Sequence, residues 1–342
     1  MKTMRLWFAC VFGLALSMVF GWSYGFFVVL LPTFIIARSD YWQWGLINQM
    51  VVGIIWVSLE VNFISGFFQP YPLLMTVAVA ILFLSKCIAM TKPSSYLFGF
   101  TGLLVGSIAL NFISYSSFDS EDFTLTLWVS ALAIYPICGL AYYLFAEPVQ
   151  AEDNKSQHGK PQASNAAVQH DHIGLLRQIA MGWTISMLAF VIFQFGDLMD
   201  SVSAQASIFI VLTPMTFIGS MAAAKVRIIG TLLGCIAGMV IQLGLSSWAN
   251  NGLLFLMAFA IAVGFFAWLL ASGGVKSGFG FSAMSALAVP LTTAFQPGQK
   301  DAFFSILYRF SSITFTVVLT SLAIWIVHCV LVRLIKAPNE YA

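Results

Sequence analysis

The sequence predicts an all-α integral membrane protein with about twelve transmembrane helices, arranged as two parallel six-helix repeats. Three observations carry that prediction. Of 342 residues, 60% are hydrophobic and only 8% are charged, with a mean hydropathy of +0.92. Soluble domains carry about 25% charged residues, so this chain cannot cover a water-facing surface of its size. Apolar stretches of spanning length recur along the chain, and basic residues gather in alternate loops. A net charge of +2 gives no reason to expect a nucleic-acid partner.

A membrane helix needs roughly 20 apolar residues. Candidate spans cover 5–22, 24–38, 45–67, 72–91, 96–114, 123–145, 177–195, 204–224, 227–247, 252–271, 278–295 and 302–332. The first follows Lys2 and Arg5 like a signal peptide. It lacks a small-x-small cleavage pattern and reads as an uncleaved helix. The second is short and contains Pro32, which points to a broken or re-entrant helix. Residues 147–176 are rich in Gln, Asn, Ser, Lys and His without apolar period, and read as a flexible cytoplasmic linker. It separates a first membrane repeat, 1–146, from a second, 177–342. The last span is long enough to project beyond the bilayer.

With the N-terminus in the cytoplasm, Lys2, Arg5, Arg38, Lys92, Lys155, Lys160, Arg177, Lys225, Arg227, Lys276, Arg333 and Lys336 fall inside. Asp119, Glu121, Asp122, Asp197, Asp200 and Asp301 fall outside with Lys300. The positive-inside rule then places both termini in the cytoplasm. The halves also resemble one another. Leu31-Pro32-Thr33 matches Thr213-Pro214-Met215, Phe98-Gly99-Phe100 matches Phe279-Gly280-Phe281, and Gly45 and Gly53 match Gly230 and Gly238. Such matches at nearly constant offset argue for a tandem repeat with an axis along the membrane normal.

Charges within spans are expensive and mark candidate sites. Glu60 lies roughly 20 Å from the cytoplasmic start of its span, and Arg309 about 10 Å in from the outside. Both fall in the outer half, where Arg309 could attract an anion and Glu60 could take up a proton. The competing reading is a structural ion pair or two snorkelling side chains. Asn62 and Tyr308 flank these charges. Pro32 and Pro214 free backbone carbonyls at membrane depth, which either line a binding site or only kink a helix. Lys86 reads as a side chain snorkelling to the cytoplasmic surface. His158, His170, Asp171 and His172 read as a solvated tract rather than a metal site. The five cysteines lack metal spacing, and no cofactor is implied. Trp22, Tyr24, Tyr41, Trp42, Trp44 and Trp248 fall where an interfacial belt belongs.

The ninth span opens on Arg227-Ile-Ile-Gly-Thr-Leu-Leu-Gly. Gly230, Gly234 and Gly238 form one row that permits close helix approach. Thr231 shares that face, and Arg227 reads as a cytoplasmic-edge anchor. This element resembles the fusaric acid resistance and aromatic acid exporter family, whose members carry Arg-x-x-Gly-Thr-x-x-Gly after a Pro-containing span, here Thr213-Pro214-Met215. The chain lacks the large cytoplasmic domain of larger members. Its first half has Trp42-Gln43-Trp44-Gly45-Leu46 in place of the motif, so it looks closer to a compact bacterial branch. The resemblance implies an inner-membrane efflux transporter for small aromatic or amphipathic compounds, anionic if Arg309 lines the path. Its expected partners are the lipid bilayer, a small-molecule substrate and a periplasmic adaptor of the membrane-fusion type, and a homo-oligomer is an allowed assembly. Proton drive is expected because no ATP-binding motif is present. The alternative is a membrane-embedded scaffold or an enzyme of envelope lipid or polysaccharide assembly. The short loops hold no polar catalytic cluster, which argues against an enzyme.

Overall fold

A computed structural model describes residues 1–22, 24–115, 118–146, 172–196, 202–245, 252–293 and 302–334. The described residues form twelve α-helices and no strand. They are α1 (Lys2–Phe20), α2 (Phe26–Arg38), α3 (Trp44–Phe68), α4 (Pro72–Met90), α5 (Tyr96–Ile113) and α6 (Ser120–Leu144). The second set comprises α7 (His172–Gly196), α8 (Val202–Leu212), α9 (Phe217–Gly244), α10 (Gly252–Ala271), α11 (Gly274–Thr293) and α12 (Ala302–Leu334). Among the described residues, nine helices are long and apolar enough to cross a bilayer, as a multi-pass membrane protein requires. Most of the linker, with His158, His170 and Asp171, lies outside the described residues, as do Asp197, Asp200, Lys300 and Asp301.

Two boundaries differ from the sequence expectation. No break separates 204–224 from 227–247. The chain turns instead at Thr213-Pro214-Met215-Thr216, and α9 then runs unbroken through Lys225 and Arg227. Proline disfavours helix at the residue before it, which ends α8. Met215 adopts a φ of 50°, and the Thr216 hydroxyl caps α9 by accepting from the Gly219 amide at 3.3 Å. Charge alone does not stop a helix. Lys225 turns outward while Arg227 turns inward.

Pro32 does not break α2, which is one continuous helix of 13 residues. At about 20 Å it is shorter than a bilayer core. Proline donates no hydrogen bond, so the Val28 carbonyl loses its partner one turn back. That carbonyl is buried under α1, where a Cβ on Gly13 would come within 2.7 Å of it. Here the freed group serves packing.

Contacts fix which helix ends share a face. Arg5, 2% exposed, donates to the backbone carbonyls of Asp40 and of Phe145, the latter at 2.8 Å, and Lys2 pairs with Asp40 at 3.0 Å. The Tyr142 hydroxyl donates to the Ser39 carbonyl at 2.9 Å, and that of Tyr96 to the Thr213 carbonyl at 3.0 Å. The start of α1, the ends of α2, α6 and α8, and the start of α5 thus meet at one face, the N-terminal face. At the other, Tyr24, Phe112, Phe118 and Phe123 cluster around the α1–α2 and α5–α6 turns.

Within each set of six, the third helix packs on the fifth and sixth, and the fourth packs on the fifth. Between the sets, α1 packs on α10 as α7 packs on α4, and α2 packs on α11 as α8 packs on α5. The Trp7 indole of α1 donates to the Ala260 carbonyl of α10 at 2.7 Å. The Trp183 indole of α7 donates likewise to the Ala80 carbonyl of α4 at 2.9 Å.

Gly13→Ala should force a methyl against the Val28 carbonyl and the Val29 Cα, both backbone atoms that cannot swing aside. The expected loss is about 1–3 kcal/mol, read as a lower melting temperature in detergent. Wild-type melting would refute the close α1–α2 contact.

Candidate functional site

Arg227 is a buried charge within the bundle. It lies ten residues into α9, about 15 Å from its start, and is only 3% exposed. It is therefore not an edge anchor. Its Nε donates to the Ser207 hydroxyl of α8 at 3.0 Å and its Nη1 to the Ser285 hydroxyl of α11 at 2.6 Å. Among the described residues no carboxylate lies within ion-pair distance of it.

Glycines set this geometry. A Cβ on Gly230 would fall 2.5 Å from the Ser282 Cβ, and one on Gly234 would fall 2.9 Å from the Ala286 Cβ. The two glycines let α11 lie directly against α9, which brings Ser285 within reach. Gly238 makes only ordinary contacts, with Leu287 and Ile306. Thr231 is fully buried on the same face.

Arg227 opens on a cavity of about 80 Å³ between the two sets of helices. α2 contributes Phe26, Phe27, Leu30, Leu31 and Phe34, α3 contributes Met50, and α5 contributes Phe100, Thr101, Leu104 and Ile108. The opposite wall comes from α8, from Arg227 and Cys235 of α9, from Phe281, Ser285, Ala286 and Val289 of α11, and from Arg309 and Ile313 of α12. The described lining thus combines two guanidinium groups with five phenylalanines and holds no carboxylate. Cys235 sits within electrostatic reach of both arginines.

Arg309 and Glu60 do not share this site. Glu60 pairs with Lys86 of α4, Nζ to Oε2 at 2.6 Å, and accepts from the Trp56 indole at 2.7 Å. Lys86 does not snorkel, for its side chain is 3% exposed. Its stem crosses Gly102 of α5, where a Cβ would lie 2.7 Å from the lysine Cδ, and its ammonium sits 4.6 Å from the Phe98 ring centre. Gly102 makes the room through which a lysine crosses from α4 to a carboxylate on α3.

The other candidates lie elsewhere. Asn62 donates to the Ser58 carbonyl at 2.9 Å and to Thr124 of α6 at 3.2 Å, so it ties α3 to α6. Tyr308 borders a separate crevice of about 520 Å³ between α7, α8 and α12, lined by Ser311, Ser312, Thr316 and Thr320 among apolar residues. Pro32 and Pro214 line neither space. Sequence reasoning missed the burial of Arg227 and the partner of Glu60. The first had a signal: Arg227, Gly230, Thr231, Gly234 and Gly238 fall on one helical stripe, so the arginine shares the ridge that packs.

Residues 2–141 match a family described as "Protein of unknown function (DUF2955)". No curated protein and no solved structure matches the chain.

The Glu60–Lys86 pair can be tested by a cycle of Glu60→Gln, Lys86→Met and the double variant. Melting in detergent should give a coupling of about 1–3 kcal/mol, because either single change strands the other charge. Additive effects would rule the pair out.

Proposed function

We propose that this protein is a bacterial inner-membrane efflux transporter for small aromatic or amphipathic anions. In this reading it consists of two six-helix repeats with both termini in the cytoplasm. The observation that carries the reading is Arg227, a guanidinium buried at the wall of an aromatic cavity with serine hydroxyls as its partners. A charged side chain at the centre of a membrane helix costs about 2.5–3.5 kcal/mol on insertion scales. Serines accept its hydrogen bonds, and among the described residues no carboxylate compensates the charge. A carboxylate ligand would supply that compensation, and the surrounding phenylalanines suit a ring attached to it.

The duplication is supported by paired contacts. Gly99 of α5 packs on the backbone of Lys86 and Met90 in α4, as Gly280 of α11 packs on Phe266 and Leu270 in α10. Gly53 packs on Phe98 and Thr101, as Gly230 packs on Phe279 and Ser282. On this reading Gly53 corresponds to Gly230 rather than to Gly238. In that register Met50 is the counterpart of Arg227, and both line the cavity. A purely structural role common to both repeats would not place an arginine in one and a methionine in the other.

Proton drive would act at Glu60 and Lys86. The Glu60 carboxylate is 27% exposed and the ammonium is buried. Protonation of Glu60 would strand Lys86 against α5, whose opposite side forms the cavity wall. A periplasmic adaptor of the membrane-fusion type would take the substrate onward.

Complementation of a deletion strain tests this reading. Arg227→Met should lower tolerance of aromatic carboxylates and weaken binding of a labelled aromatic acid about 10- to 100-fold, as expected for losing a charge-assisted contact of about 1.5–3 kcal/mol. Wild-type tolerance and binding at normal membrane abundance would refute it.

A further inference from the structure

The cavity is too small for the ligand it is built to attract. It measures about 80 Å³, whereas an apolar cavity that admits benzene runs to about 150 Å³. A ligand can enter only if part of the wall moves, and the wall nearest the N-terminal face consists of rings. Phe34 stacks on Phe100 at 5.2 Å and meets Phe281 edge-on at 5.5 Å. The three rings come from α2, α5 and α11, so they close the seam between the two sets of helices.

An arginine lies just outside this layer. Arg38 ends α2 and is exposed at the N-terminal face. Its guanidinium carbon sits 4.9 Å from the Phe34 ring centre and 4.7 Å from that of Tyr96. Tyr96 in turn stacks on Phe100 at 6.4 Å. The nearby Asp40 carboxylate is engaged with Lys2. On the inner side, Ser285 follows Phe281 by one turn and holds Arg227. Phe34 likewise lies one turn from Arg38. The order along the bundle is Arg38, the ring layer, then Arg227, with about 6 Å of helix rise per step.

We propose that Arg38 is the receiving site for an aromatic monoanion, and that Phe34, Phe100 and Phe281 form the gate between it and the Arg227 chamber. The inference rests on the reading of that chamber as an anion site. A hydrated inorganic anion gains nothing from the rings and loses its water in crossing them. An aromatic anion exchanges one stacking partner for another while its carboxylate passes from Arg38 to Arg227. The gate therefore selects for a flat apolar body, and the two arginines select for charge. Opening needs only rotation of phenylalanine side chains out of their mutual stack.

Cys235 lines the chamber and serves as a reporter that requires no transported substrate. In a variant with Cys10, Cys87, Cys138 and Cys329 replaced by alanine, the membrane-impermeant anion sulfonatoethyl methanethiosulfonate is added from the side of the N-terminus. Modification should be slow in this parent and at least tenfold faster in Phe281→Ala or the milder Phe34→Leu. Arg38→Gln in the opened background should slow the anionic reagent several-fold and leave its cationic trimethylammonium analogue unslowed. Full reactivity after denaturation in detergent certifies that the thiol is intact. An unchanged rate in both opened variants would overturn the gate. Equal effects of Arg38→Gln on both reagents would overturn the receiving site. Either result can arise whether or not Arg227 variants export, so failure of the gate is distinguishable from failure of the transport reading.

Discussion

A guanidinium held inside an apolar bundle must be compensated, and the surroundings of Arg227 follow from that constraint. The charge sits where α8, α9 and α11 meet, with a serine from each neighbour as acceptor. Ser285 is in reach because Gly230 and Gly234 remove the side chains that would hold α11 away. The glycine ridge and the arginine are thus one device. The ridge sets the helix spacing, the spacing sets the hydrogen bonds, and the hydrogen bonds aim the remaining charge into the cavity. Hydroxyls orient the guanidinium, and among the described residues no carboxylate pairs with it.

Much of the fold was legible because membrane helices are written in composition. Apolar length located the helices, since backbone groups in lipid must be satisfied within each helix. The error at residues 213–227 came from treating charge as punctuation. Pro214 acts on backbone geometry and ends α8, whereas Lys225 and Arg227 only choose which way to face. The depth of Arg227 was written in its period with the glycines, and the assumption that the motif opens a helix hid it. The Glu60–Lys86 pair was not legible. It depends on three helices converging, and on Gly102 leaving a channel for the lysine stem. No local pattern in α4 announces a vacancy in α5. Arg309 lines the cavity, whereas Glu60 pairs with Lys86.

The family match falls on residues 2–141, whereas the Arg-x-x-Gly-Thr element stands at 227–231. The first six helices contribute an uncharged wall, from Phe26 to Ile108, and the later helices add Phe281, Val289 and Ile313 to it. The later helices contribute both guanidinium groups. On the proposed duplication, Phe100 and Phe281 are counterparts that meet through Phe34 across the seam, while Met50 and Arg227 are counterparts that differ. Shape is symmetric in the cavity and charge is not. A ligand with an apolar ring and one charged end matches that division, and it would bind in one orientation.

α5 stands between the ion pair and the cavity. One side of this helix, through Phe98 and Gly102, touches the Lys86 side of the ion pair. Another side, through Phe100, Thr101 and Leu104, forms the cavity wall. The spacing between these sets is one or two residues, so a rigid helix cannot shift at one without shifting at the other. Neutralising Glu60 would remove the partner of a lysine enclosed by protein. The ion pair and the ring layer thus bear on one helix, α5, from different sides.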